Sequence, residues 1–243
     1  AQPRIGGQFR LAGEQPRRAQ ILDLLDWYER QFIRLGVRLH LNSFLDADDI
    51  AAHSADTVIL ATGSLPDPNA RQRWLPAEPR LPGLETGNVW SPEEVMRREA
   101  RLSDAVILYD EGGHWRGLGT AWALAEQGRT VTIVTPEPYI GKEITRTSAD
   151  GPLRQRLARL GVQFLTEHVL PRWHGNGATV RSLLTGAEQI VPASALVMST
   201  TNIAFDPFPE QIGQKPTHRI GDCAAPRLAP YAFHEGRKIA LTL

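Results

Sequence analysis

The residues whose types and spacing could do chemistry are glycines and acids gathered where strands should end. Gly112-Gly113-His114-Trp115-Arg116-Gly117 stands where a Gly-x-Gly-x-x-Gly turn would cradle a pyrophosphate on backbone amides. His114 replaces the middle glycine, the one that lets a phosphate approach the chain. Asp110 and Glu111 precede the turn, where a carboxylate opposes a phosphate. At about 4 Å that opposition costs on the order of 1–4 kcal/mol, roughly one to three decades of affinity. Arg116 is placed to offset part of it. The turn has the scaffold of a dinucleotide site, with Gly112, Gly113 and Gly117 as its contacts, and poor NAD(P)H binding is the expectation.

Two more strand ends carry similar signals. Val58-Ile-Leu-Ala-Thr62-Gly63 reads as a buried strand running into a glycine turn, and Arg219-Ile-Gly221-Asp222 as a short strand ending in Gly-Asp. Each has a plainer alternative: an ordinary βα turn at Thr62 and Gly63, and a helix N-cap at Asp222. Gly6 and Gly7 form a further glycine turn. No catalytic residue stands out. His114 has no neighbour that completes a nucleophile or metal set, and the other six histidines are scattered without metal spacing. Cys223 is the one cysteine and reads as a small buried packing residue. A single cysteine excludes an internal disulfide and a four-cysteine zinc or iron–sulfur centre within this chain.

The elements that must position these residues follow from periodicity. Asp104 to Val134 reads as strand, glycine turn, helix, strand: the apolar run Val106-Ile107-Leu108, then Leu118, Ala121, Trp122, Leu124 and Ala125 at helical spacing, a C-terminal Gly128, and Val131, Ile133 and Val134. A helix is predicted over 18–35, ended by Gly36, and a strand over 37–41 from the alternation of Val37, Leu39 and Leu41. A short helix is expected near Asp46. Five prolines between 66 and 82 suggest a crossover linker on the surface. Ser91-Pro92-Glu93-Glu94 has the form of a capping box. A helix over about 152–160, two or three hairpin strands over 168–192, a buried strand at 196–198 and a last helix from near Pro230 complete the chain. Leu35-Gly36-Val37 echoes Leu160-Gly161-Val162, and Val58 to Ser64 echoes Leu196 to Asn202. That repetition points to two related nucleotide-binding domains, the second inserted in the first.

Composition bounds the reading. The 243 residues are 42% hydrophobic, enough for a sizeable core and one or two domains. Lys and Arg total 27, as do Asp and Glu, so nothing attracts a nucleic acid or an acidic membrane surface. The six tryptophans show no stacking period with basic residues. No apolar run reaches transmembrane length, and a cytoplasmic location is expected.

In this order, Pro3-Arg-Ile-Gly-Gly-Gln8, Ala61-Thr-Gly63, Ser91-Pro-Glu-Glu-Val-Met96, the central βαβ unit and Gly221-Asp-Cys-Ala-Ala-Pro-Arg227 followed by Glu235-Gly-Arg237 resemble the C-terminal region of a flavoprotein family. Its members are trimethylamine, dimethylamine and histamine dehydrogenases and 2,4-dienoyl-CoA reductase. The resemblance implies an α/β fold of two Rossmann-like three-layer domains. Residues 1–85 and 201–243 would form an FAD- or ADP-binding-like domain lacking its N-terminal βαβ start, and 86–200 an NAD(P)-binding-like domain inserted in it. It implies an adenine nucleotide, FAD or ADP, held by Gly6, Gly7, Thr62, Gly63, Gly221 and Asp222, with Arg227 reaching phosphate or a partner's acid. FMN and a 4Fe-4S cluster would belong to an N-terminal barrel outside this chain or on a separate subunit. The parent activity would be amine oxidation at that flavin, with electrons passed to an electron-transfer flavoprotein. An NAD(P)H-dependent reductase of the dienoyl-CoA reductase kind and a non-catalytic scaffold fragment are the alternatives. An incomplete first domain would expose an apolar face, so self-association is expected.

Overall fold

The computed structural model describes residues 2–243. In chain order the elements are α1 (Gly7–Gly13), α2 (Gln20–Arg34), α3 (Ala47–Ala52), β1 (Val58–Leu60), β2 (Ser64–Leu65), β3 (Val89–Trp90), α4 (Pro92–Met96), β4 (Ala105–Asp110) and α5 (Trp115–Glu126). There follow β5 (Thr130–Val134), α6 (Asp150–Arg159), β6 (Gln163–Leu165), β7 (His168–Trp173), β8 (Gly177–Ser182), β9 (Glu188–Pro192), β10 (Ala195–Ser199), β11 (Ile203–Ala204), β12 (Thr217–Arg219) and α7 (Ala229–Ala240). They group into two units. One comprises the residues up to Gly7, Trp27–Pro66 and Asn202–Leu243; the other comprises Gln8–Asp26 and Asp67–Thr201.

The unit built on 67–201 is a three-layer α/β domain. Its parallel sheet runs β3-β10-β4-β5-β6. These strands are buried on both faces, which is why their sequences are near-continuous apolar runs rather than alternating ones. Val106, Leu108, Val131, Ile133, Ala195 and Val197 pack under α5 and α6. Ile107, Tyr109, Val134, Leu196 and Met198 point the other way, into a second core with Leu170, Trp173, Ala178 and Val180 of the antiparallel β7-β8-β9 sheet.

The helices end as the sequence implies. Past α5, Gly128 N donates to Ala125 O and Arg129 N to Leu124 O; past α6, Gly161 N donates to Ala158 O and Val162 N to Leu157 O. Gly36 and Val37 close α2 in the same way. Each is a Schellman motif, and each puts glycine at a positive φ that a side chain would strain. The echoed Leu-Gly-Val segments therefore encode one repeated helix stop.

Two expectations need correction. The proline-rich 66–82 stretch is not a surface linker throughout. Ala70 and Leu81 join the core beneath β7 and β8, and the Gln72 amide brackets Leu170, donating to its carbonyl at 2.7 Å and accepting from its N–H at 3.1 Å. Residues 37–41 form no strand, because no other strand among the described residues pairs with them, and Val37, Leu39 and Leu41 are exposed. The unit that contains them has a small core of Val58, Leu60, Ile212 and Cys223. Its parallel pair β1-β12 is accompanied by the short antiparallel pair β2-β11. Ile33 and Phe44 there are more than four-fifths exposed.

Trp173 ties the meander to the segment before β3. It is fully buried, its indole N–H donates to Gly87 O at 2.8 Å, and its backbone N–H donates to Pro82 O. Trp173→Ala should cost about 3–5 kcal/mol by urea denaturation. Trp173→Phe should cost about 1–3 kcal/mol, chiefly by leaving the Gly87 carbonyl unpaired.

Candidate functional site

The order of the parallel sheet reverses between β4 and β10, and the crevice beyond the carboxyl ends of such strands is where this architecture binds nucleotides. Asp110 and Ser199 face each other across those ends as register partners. Their side chains meet: Ser199 Oγ donates to Asp110 Oδ1 at 3.2 Å. The other carboxylate oxygen of Asp110 accepts the Gly113 N–H of the glycine turn, also at 3.2 Å. Burial pushes the Asp110 carboxyl from 3.8 up to about 7, with the Ser199 hydroxyl and the Gly112 and Gly113 amides pulling the other way.

Glu111 is buried as well and is spent on the chain before it. Its Oε1 accepts the Arg73 backbone N–H at 2.6 Å, its Oε2 faces Arg73 Nε at 3.4 Å, and the Tyr109 hydroxyl donates to Oε1 at 3.3 Å. Burial raises the Glu111 carboxyl and the Arg73 charge partly offsets this. Tyr109 is pushed well above its ordinary range by burial and by the Glu111 charge. The expected open repulsion between this acid pair and a phosphate is therefore corrected: one acid is turned into the turn and the other is paired with Arg73.

Arg116 is not free to offset charge either. Its guanidinium forms a two-pronged pair with Glu93 at 2.6 and 2.8 Å and donates to Thr200 O at 2.7 Å. Although burial works to raise it, the Arg116 hydrogen bonds and charge hold the Glu93 carboxyl below its ordinary value. The predicted capping box places Glu93, since Ser91 Oγ accepts the Glu94 N–H while Glu94 accepts the Ser91 N–H.

His114 is the N-cap of α5, makes no side-chain cap bond and folds its ring back over the turn. A β-carbon on Gly112 would lie 2.7 Å from His114 Nε2. Burial, followed by the Arg116 charge, brings the imidazole from 6.5 down to about 4. Gly113 O accepts the Glu143 N–H at 3.1 Å, so the segment after Gly141 covers the turn. Gly117 sits inside α5 against Asp110 and Ser199, where a β-carbon would meet Asp110 Oδ1 at 2.6 Å. Near this turn the sequence reading missed an acid. Glu137 lies about twenty residues beyond the turn, where a ribose-binding acid is expected. Its carboxylate is paired with Lys142 at 2.7 Å.

The unit containing β1 and β12 brings most of the other sequence-predicted residues together. Because β1 and β12 pair in parallel, with Leu60 opposite Arg219, Gly63 and Gly221 follow neighbouring strand ends. Ser64 Oγ donates to Asp222 Oδ2 at 2.8 Å, and Asn202 Nδ2 donates to Ser64 Oγ at 3.2 Å. The Arg227 N–H donates to Asp222 Oδ1 at 3.1 Å. Thr62 donates its hydroxyl to Phe205 O. The Arg227 guanidinium pairs with Glu235 and lies over the Tyr231 ring at 5.1 Å. Glu235 also accepts the Gly221 N–H at 2.7 Å, and that bond, then Arg227, lowers its carboxyl pKa. Asp222 is thus not the N-cap of α7; it lies in a tight turn between β12 and that helix. Asn202 Oδ1 is buried without a hydrogen-bond partner. Gly6 and Gly7 lead into α1, and no hydrogen bond among the described residues joins them to this cluster. Ser64 and Asn202 were not anticipated, although Ser64 directly follows the Thr-Gly signal.

The pKa values set opposite pH slopes. Asp110 is raised in the folded state, so its stabilising contribution is complete below 3.8 and is lost as pH climbs through about 7. His114 is lowered, so its destabilising contribution disappears as pH rises from about 4 through 6.5. The first amounts to about 4 kcal/mol and the second to about 3 kcal/mol. Wild-type stability should therefore change little between about pH 4 and pH 6.5 on their account. In melts across that range Asp110→Asn should gain Tm with rising pH, and His114→Gln should lose it.

Comparison with known proteins agrees with this architecture. Residues 43–219 match the model of the pyridine nucleotide-disulphide oxidoreductase family. A probable N-methylproline demethylase of Rhizobium meliloti is 32% identical over 68% of this chain and 23% of its own length. An NADH oxidase of Thermoanaerobacter brockii is 33% identical over 69% of this chain and 25% of its own length. The chain thus spans about a quarter of the curated relatives it matches. The solved structure of histamine dehydrogenase from Rhizobium sp. 4-9 superposes with a TM-score of 0.93 over 100% of this chain and 39% of that protein, at 23% identity, a likeness of fold.

Proposed function

The chain belongs to the pyridine nucleotide-disulphide oxidoreductase family, and we propose that it is the nucleotide-binding portion of a flavoprotein oxidoreductase that oxidises an amine-type substrate and passes its electrons to an electron-transfer flavoprotein. In that reading the chain's own contribution is an adenine-nucleotide site, for ADP or the ADP half of FAD, at the Asp222 cluster. FMN, an iron–sulfur centre and substrate chemistry belong to an N-terminal barrel or a separate subunit.

The observation that carries the reading is the arrangement around Asp222. Two glycine turns follow adjacent parallel strand ends, and an aspartate between them is held by Ser64 and the Arg227 amide. The buried Asn202 Oδ1 lacks a donor. A nucleotide ribose offers hydroxyls that donate to such oxygens, so the residues present fit the group. Bound FAD would supply hydride and electron transfer. Asp222 would orient the ribose or ribityl chain, Asn202 would accept from a hydroxyl, and Ser64 would fix the rotamer of Asp222. Arg227 would face phosphate only by exchanging its Glu235 partner.

The alternative of an NAD(P)H-dependent reductase has the similarity to an NADH oxidase in its favour. The state of the glycine turn supports the first reading, because its Gly113 N–H is taken by Asp110 and the His114 ring lies against Gly112. Calorimetric titration of the chain with ADP, FAD and NADH separates the two. Saturable binding of ADP or FAD is expected, weakened about tenfold or more by Asp222→Ala through loss of a charged hydrogen bond to the ligand. NADH binding at the glycine turn, with neither ADP nor FAD bound, would favour the reductase.

A further inference from the structure

The three features through which this fold ordinarily holds a dinucleotide are all engaged with the chain's own groups in the unit built on 67–201. Fixed amide donors of the turn bind the pyrophosphate, an open space over the second glycine admits it, and an acid after the next strand binds the adenosine ribose. Here the Gly113 N–H is taken by Asp110 Oδ2, His114 stands where the second glycine would be with its ring against Gly112, and Glu137 is paired with Lys142. Asp110 stands in for the phosphate: a carboxylate oxygen accepting a turn amide makes the bond that a phosphate oxygen would make. His114 supplies the bulk that keeps a ligand out.

We propose that this is a self-occupied dinucleotide site rather than an eroded one, and that His114 is the residue deciding whether NADH can enter. Beneath the imidazole the glycine backbone of such a turn is retained. Gly112, Gly113 and Gly117 are in place, Gly113 is at positive φ, and α5 directs its N-terminus at the turn. Gly117 keeps the close packing against the strand ends that the third glycine of such a turn provides. The imidazole makes no cap bond to α5. It is neutral at physiological pH and offers a phosphate no compensating charge. Glu111 is no obstacle, since both of its oxygens are directed at Arg73. The remaining barrier is the Asp110 charge, which sits near its midpoint at neutral pH.

The inference stands apart from the adenine-nucleotide assignment at Asp222, and the test keeps them separate. Wild type, His114→Gly and His114→Ser are titrated calorimetrically with NADH at neutral pH. Glycine and serine are both favoured N-cap residues, and serine adds the cap bond that histidine lacks, so at least one variant should fold as wild type does. Comparison with wild type subtracts anything NADH does at the Asp222 cluster. The expected result is one additional NADH per chain in either variant, at least about tenfold tighter than any wild-type binding at the turn. Asp110→Asn added to His114→Ser should tighten it further. If both single variants melt cooperatively and take up NADH no better than wild type, the proposal is overturned. Wild type binding NADH at the turn as tightly as the variants would overturn it too. A gain of NADH without any ADP or FAD binding would sustain this inference while removing the reading of the Asp222 cluster.

Discussion

The carboxylate of Asp110, the last residue of β4, lies buried against the glycine turn that opens α5, and it accepts a hydrogen bond that this architecture ordinarily offers to a phosphate. Much of the neighbouring geometry answers to that fact. Ser199 turns its hydroxyl toward the carboxylate from the adjacent strand. Gly117 must lack a side chain because Asp110 and Ser199 occupy the space beside it. A buried carboxylate left without donors would be costly, so the turn's amides and the serine hydroxyl are retained as a set. The result is a rigid strand–turn–helix junction with its anion built in.

Around that junction, charge is neutralised by groups distant in sequence. Arg73 reaches Glu111 across 38 positions, and Arg116 reaches Glu93 across 23. Both acids are buried, and removing either arginine would leave an uncompensated charge in the interior. They tie the turn's neighbours to the segment around Arg73 and to α4, and the buried Arg116–Glu93 pair is of the kind that often does little better than an apolar replacement. In the unit containing Asp222 the logic is reversed. There the acid is held by a serine hydroxyl and a backbone amide, and the nearby Asn202 oxygen still lacks a donor. One cluster is satisfied from within and the other retains an open valence, which is the physical basis for proposing the nucleotide at the second.

The sequence was legible where structure is local and periodic. The βαβ unit from Ala105 to Val134, the Ser91 capping box and the glycine stops after α2, α5 and α6 follow from short-range rules. The departure at His114 was visible as a wrong residue type in a known turn. What it does was not visible, because the fold of its ring over Gly112 depends on burial that no spacing reveals. The fates of Asp110, Glu111 and Arg116 were hidden for the same reason: each is decided by a partner on another element. The alternation of Val37, Leu39 and Leu41 was read as a strand, yet alternation states only that a strand could form there. A ladder needs a neighbouring edge, and those residues have none among the described ones. Five prolines disguised the 66–82 segment, whose anchors Ala70, Gln72 and Leu81 are single residues without a period.

The glycine turn is filled by the chain's own side chains, and the protonation of the His114 imidazole reports whether it is. A two-dimensional nitrogen–proton NMR titration of the ring resonances, with His114 assigned by comparison with His114→Gln, follows that one group in the intact chain. A ring packed over Gly112 should stay neutral down to mildly acidic pH and titrate at about 4. Titration near 6.5, the ordinary histidine value, would mean that the imidazole stands in solvent and that the turn is open rather than filled.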